Sequence, residues 1–245
     1  MRMKSVLLAS SALALLAGAG TAQAGAFDGL YINVFGGANF QEDQSGRSQT
    51  TTGSSTTTTF SHRFDSDTGF VVGGAIGTDL WVKGLRGEIE VSYRRNDVGG
   101  DWVQRSFTTP TTPTSTYGGA VDGNSSTFAV MANVWYDLPL GWKLRPYVGG
   151  GVGWGRSKFE AAFLSTSGYN AYTQIDAEHS GFAYQLGAGF NYEVAPGVDV
   201  GLGYRYFNAP NVTFVVPNSF SGNDFAVKFE NDSHAVTANL TIHTN

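Results

Sequence analysis

The chain has 245 residues, a net charge of −5, and only 14% charged residues beside 13% aromatics and 33 glycines. Ordinary soluble domains carry about 25% charged residues, and the acidic balance argues against nucleic acid as a partner. With no cysteine, a disulfide framework, a thiolate nucleophile and a Cys-type zinc site are excluded.

The first element reads as an export signal. Arg2 and Lys4 precede an apolar run over 6–19, and Ala22-Gln23-Ala24 is a small-x-small cleavage site. These are the three parts of a secretory signal, which predicts a signal peptide over 1–24, cleaved after Ala24, and one domain over 25–245. The run is too short for a spanning helix, and no later segment holds 18 consecutive apolar residues. Loss of Arg2 and Lys4 takes the net charge from −5 to about −7.

Beyond the signal, the chain repeats a period-2 alternation of apolar and polar residues, the mark of strands with two unlike faces. The clearest stretch is 85–94. Leu85, Ile89, Val91 and Tyr93 share one face, and Arg86, Glu88, Glu90, Ser92 and Arg94 share the other. A helix would scatter those charges around its circumference. Eight strands follow, at 29–40, 68–79, 85–95, 126–137, 144–155, 182–194, 198–207 and 234–243. Their length suits a tilted crossing of the hydrocarbon layer. The connections alternate long and short. Those at 41–67, 96–125, 156–181 and 208–233 are long, whereas 80–84, 138–143 and 195–197 are tight turns. The predicted fold is all-β: an eight-stranded antiparallel transmembrane β-barrel, an up-and-down meander with four long extracellular loops and both termini periplasmic.

A soluble lipocalin-type barrel shares the alternation but hides its apolar side chains inside. Here charges lie deep within strands on the polar face, and large aromatics gather at strand ends. Trp81, Tyr136, Trp142 and Tyr192 flank the short turns. Tyr93, Trp154, Tyr204 and Tyr206 lie toward the long loops. Two aromatic belts around an aliphatic band favour the membrane barrel.

Residues 29–37 (GLYINVFGG), 84–94 (GLRGEIEVSYR) and 144–153 (LRPYVGGGVG) resemble the small outer-membrane β-barrels of α-proteobacteria, the porin-opacity or OmpA-like group. The resemblance runs through the strands and is absent from the loops. It implies an abundant surface-exposed barrel in the outer membrane of a Gram-negative bacterium. Its surroundings would be outer-membrane lipid and lipopolysaccharide, its assembly partners periplasmic chaperones and the barrel-assembly machinery. A host or surface ligand would meet the loops. Such barrels usually end in an aromatic residue, whereas this chain ends in Asn245. No peptidoglycan-binding domain is expected after the last predicted strand.

An eight-stranded lumen is filled by side chains. The inward set pairs Arg86, Arg94, Arg145 and Arg205 with Glu88, Glu90, Asp137, Glu193 and Asp199. Arg86, Asp137, Arg145, Glu193 and Asp199 should form a belt near the short turns, with Asp137 reaching both Arg86 and Arg145. Higher up, Glu88 or Glu90 should bridge the lumen to Arg205, since an unpaired buried charge is costly. The network reads as a rigid polar plug in a structural or surface-interaction barrel. A charged gate in a narrow porin passing small solutes or ions is the alternative.

A lipid-directed enzyme is the third class considered. His62, His179 and His234 fall at the predicted rim beside Ser61, Ser180 and Ser233. Neighbours on a strand point to opposite faces, so these pairs cannot act as nucleophile and base by adjacency. The histidines are expected to be solvated, and no catalytic, metal or cofactor site is expected. The threonine runs at 50–59 and 108–114 should be mobile. Val212, Phe214 and Val216 alternate, as do Phe225, Val227 and Phe229. These predict a hairpin above the membrane that stiffens the rim or offers an adhesive edge.

Overall fold

A computed structural model describes residues 29–52, 56–107, 113–141, 143–165, 172–216 and 225–244. The export signal, Trp142 and the tip at 217–223 fall outside these residues.

Ten strands form one antiparallel sheet: β1 (Leu30–Gln41), β2 (Gln44–Thr52), β3 (Thr56–Ser66), β4 (Gly69–Asp79), β5 (Leu85–Phe107), β6 (Pro113–Asp137), β7 (Leu144–Ser165), β8 (Tyr172–Ala195), β9 (Val198–Val216) and β10 (Phe225–His243). Eight of them close the ring in the order β1, β4, β5, β6, β7, β8, β9, β10. Pairs such as Val34↔Leu240 join its first and last members. Glycines with positive φ close the turns before β5 and β9, at Gly84 (83°) and Gly197 (75°), where a side chain would be strained.

The wall rises far above the membrane. Strands β5 to β10 contain 19 to 25 residues each. A tilted strand of that length rises roughly 55 Å, about twice the apolar band of an outer-membrane barrel. Where β1 and β4 stop, the β2–β3 hairpin takes their places, with β3 laddered to upper β5 through pairs such as Phe60↔Gln104. The described parts of the four long connections are therefore largely strand, in 208–233 as the alternation there predicts. The threonines at 56–59 belong to β3, and Thr58 and Thr59 are buried.

Both faces change polarity with height. At membrane level Ile32, Ile76, Ile89, Val152, Leu186 and Leu202 point outward and are exposed, while Asn133, Gln185 and Arg205 are buried inside. Higher up, Phe60, Phe64, Phe159, Phe163, Phe214 and Phe229 pack inside. Arg63, Asp65, Arg156 and Glu178 face water there, each with about half or more of its side chain exposed. Each storey thus keeps its apolar face away from water, toward lipid below and toward the axis above.

The inner apolar face of the upper storey depends on a bulge. Along β9 the odd residues Asp199, Arg205, Phe207 and Ala209 are buried, then the even residues Val212, Phe214 and Val216. The register steps from Ala209↔Asn231 to Val212↔Phe229, so Pro210 and Asn211 together oppose Glu230. The Asn231 side chain donates to the Pro210 carbonyl at 3.2 Å and its backbone N–H to Asn211 Oδ1 at 3.3 Å. One extra residue turns the following side chains over.

Candidate functional site in the barrel lumen

The membrane-level lumen fills because glycines on β7 face bulky residues on β6. Gly149, Gly151 and Gly153 stand opposite Trp135, Asn133 and Met131. A Cβ on Gly151 would overlap the Asn133 amide, so glycine there lets the large neighbour lie across the axis.

At the periplasmic end, Arg86 grips Asp137 through Nε at 2.7 Å and Nη2 at 2.9 Å. This fork-to-carboxylate geometry is the strongest form of such a pair. Arg145 instead engages Asp199, which also accepts from His243 Nε2 at 2.9 Å. The expected Asp137–Arg145 contact does not form. Asp137 ladders with Tyr147, which leaves Arg145 two residues nearer the mouth, while both Asp137 oxygens are taken by Arg86. Glu193 also departs from the expected belt. It is exposed, at a register shift between Glu193 and Ala195 that ends β8.

One layer up, Glu88 accepts from Trp135 Nε1 at 2.6 Å, Tyr31 OH at 3.1 Å and Asn133 Nδ2 at 3.2 Å. Glu90 is fully buried. Its Oε2 accepts from Arg205 Nη1 at 2.6 Å, Asn133 at 2.9 Å and Gln185 at 3.1 Å. These partners come from β9, β6 and β8, so one carboxylate ties together four strands of the ring. The Arg205 guanidinium also lies 4.1 Å from the Phe35 ring centre, a cation–π contact that sequence spacing does not show.

Arg94 departs from the predicted pairing. It is buried and lies 3.6 Å from the Phe207 ring centre, with Nη1 donating to Ser92 at 2.9 Å. Among the described residues no carboxylate comes within ion-pair distance of it. The acid four residues earlier, Glu90, is held by Arg205.

The aromatic positions lie on the outer wall. Trp81 is exposed, as are Tyr192, Trp154 and Tyr204, while Tyr93, Tyr136 and Tyr206 are half-buried. Tyr204 OH meets His234 Nδ1 at 2.6 Å. His179 is exposed, but His62 is not the solvated rim residue expected. It points into the upper storey, 4.9 Å from Phe64 and 5.8 Å from Phe60 between ring centres. Burial there pulls its imidazole below the ordinary value. Its position in β3 was hidden by the polar, threonine-rich sequence before it.

A closed meander with a lipid-facing aliphatic band and a polar interior defines a transmembrane β-barrel of the Gram-negative outer membrane. The chain belongs to the outer membrane protein beta-barrel domain family, whose model matches residues 9–232. Among solved structures, the fold is similar to the outer membrane protein OprG from Pseudomonas aeruginosa, with 14% identity and a TM-score of 0.50 over 89% of this chain and 98% of that one. Neisserial surface protein A is 16% identical with a TM-score of 0.45, over 88% of this chain and 97% of that one. The outer membrane protease OmpT from Escherichia coli is 8% identical with a TM-score of 0.44, over 88% and 97%. A search of curated protein sequences finds no match.

Proposed function

We propose that this protein is a non-conducting barrel with a structural and surface-interaction role in the cell envelope, its lumen closed by side chains. The carrying observation is the fully buried Glu90, held by Arg205, Asn133 and Gln185 from three other strands. Ions passing along the axis would have to displace that cluster, and above it the packed phenylalanines of the upper storey. The apolar band fits the wall to lipid, and the polar outer face above the aromatic belt meets lipopolysaccharide and any surface ligand. Assembly would pass through periplasmic chaperones and the barrel-assembly machinery.

Single-channel recording on the refolded full chain tests this reading, with a heat-modifiability gel establishing that the sample is folded. The expected result is a folded protein with no resolved conductance steps. Steady ohmic channels from the folded wild type would overturn the plug and support the narrow porin.

A further inference from the structure

We infer that upper β10 is an acceptor edge for an extended polypeptide segment of a partner protein, bound by strand addition. This names the partner class of the surface-interaction role proposed above, and rests on that reading. The β1–β10 ladder ends upward at Gln41↔Ser233, and no ladder joins β10 to β2 beyond it. On the other flank the β8–β9 ladder ends at Tyr184↔Asn208. The upper β9–β10 hairpin is therefore laddered only to itself. A two-stranded ribbon is marginal alone, and this one is seated by Val212, Phe214, Val216, Phe225, Val227 and Phe229 in the phenylalanine core.

Two observations make this edge a peptide site. The first is a mismatch of faces. Phe40 is exposed and Gln41 buried at the top of β1, whereas in β2 Ser45, Arg47 and Gln49 are exposed and Gly46 turns inward to the His62 ring. The chain has changed parity across Glu42-Asp43. β10 makes no such change, since Phe225, Val227, Phe229, Asn231 and Ser233 are all buried. Gln44 meets Glu230 and Ser48 meets Ala226, which continues the Gln41↔Ser233 register. At that register inward Gly46 stands against exposed Lys228, and β2 would ladder only after a one-residue slip. The second observation is what covers the edge instead. The Gln44 side-chain amide donates to the Glu230 carbonyl at 2.6 Å and accepts from the Glu230 N–H at 2.8 Å. A neighbouring strand's own peptide groups make that same pair of bonds. Ser48 Oγ donates to the Ala226 carbonyl at 3.2 Å. Alternate residues aim their peptide groups at one edge, so Lys228 faces the seam as well, and Gly46 has no side chain to offer it. The edge is thus kept in peptide-binding form by an amide that a peptide displaces. A guest whose alternation matches β10 sets apolar side chains beside Val227 and Phe229, and polar ones beside Lys228 and Glu230. Exposed Arg47 across the seam favours an acid on that polar face. Because neither flank of the ribbon is laddered, entry of the guest breaks no ladder.

The probe is a fluorescein-labelled peptide of nine residues, the length of β2, alternating valine with threonine and glutamate. It is titrated against the full chain refolded in detergent and shown folded by heat-modifiability. Fluorescence anisotropy should show saturable binding to the wild type. In Gln44→Ala the affinity should rise about tenfold, because the guest no longer displaces two side-chain bonds. Lys228→Pro should abolish binding while the ribbon keeps its bonds to β9, since the N–H it removes faces the seam. The same peptide with proline at its centre should not bind. If Lys228→Pro fails to fold, Gln44→Ala and the proline peptide decide the question. Absence of saturable binding to the folded wild type overturns the site. So does equal binding of the proline peptide, unchanged binding in Lys228→Pro, or an affinity that Gln44→Ala does not raise. Self-association that Lys228→Pro relieves, with no peptide bound, assigns the edge to a second copy and likewise overturns the guest. Conductance judges the plug and peptide binding judges the edge, so either reading can fail alone.

Discussion

Apart from Arg94, the buried charges of this lumen are held by partners, and each partner therefore has a measurable worth. Arg205→Ala leaves Glu90 in a dry layer with two neutral donors, and removal of one partner from such a pair costs about 3–5 kcal/mol. Urea unfolding in lipid vesicles should show that loss, while a Glu90→Leu/Arg205→Met double variant loses less, because neither member of that pair is left without the other. His62 gives the pH prediction. Burial against Phe60 and Phe64 holds its pKa below the ordinary imidazole value, which is about 6.5. The unfolded chain thus takes up a proton that the folded upper storey resists. Stability from this residue is intact above that pH and is lost as pH falls below it. The fluorescence of Trp102, which stacks on Phe60 at 5.9 Å, should report loosening in acid, and His62→Phe should abolish the response.

At the scale of elements, alternation made the membrane-level strands legible and misjudged their continuation. Leu85 to Arg94 reads as a strand because its charges and aliphatics separate cleanly. The part of β5 beyond Asn96 carries the same alternation with the preference of each face exchanged. Gly99-Gly100 and Asp101 then resemble a loop to any reading that seeks lipid-facing residues. Val212, Phe214 and Val216 were visible as a strand, but their inward aim was not, because it depends on the bulge at Pro210–Asn211. Deleting Asn211 should remove the bulge and pair Ala209, Pro210 and Val212 in turn with Asn231, Glu230 and Phe229, leaving Val212, Phe214 and Val216 inward. The variant should keep a heat-modifiable membrane barrel whose upper strands resist protease as the wild type does. Among the site residues, Arg86–Asp137 follows from neighbouring strands, and Glu90–Arg205 from opposition across an eight-membered ring. Arg94 could not be read in this way, since the charge that fails to find it is taken by a competitor on another strand.

For the molecule as a whole, two barrels with opposite interiors share one wall. The lower storey is stabilised by lipid around an apolar exterior, the upper by water around an apolar core. Urea weakens burial from water and should loosen the upper storey first. Unfolding followed at Trp102 is therefore expected to precede loss of the heat-modifiable form, and a single coincident transition would contradict this division. The height at which Arg95 and Arg156 follow Tyr93 and Trp154 along their strands acts as a waterline. Sinking would draw those cations into hydrocarbon, at up to about 2–4 kcal/mol each toward the midplane. Rising would lift Val72, Val130 and Tyr204 into water. The protein thus floats at one draught, and whatever its upper wall presents is held at a fixed distance above the cell.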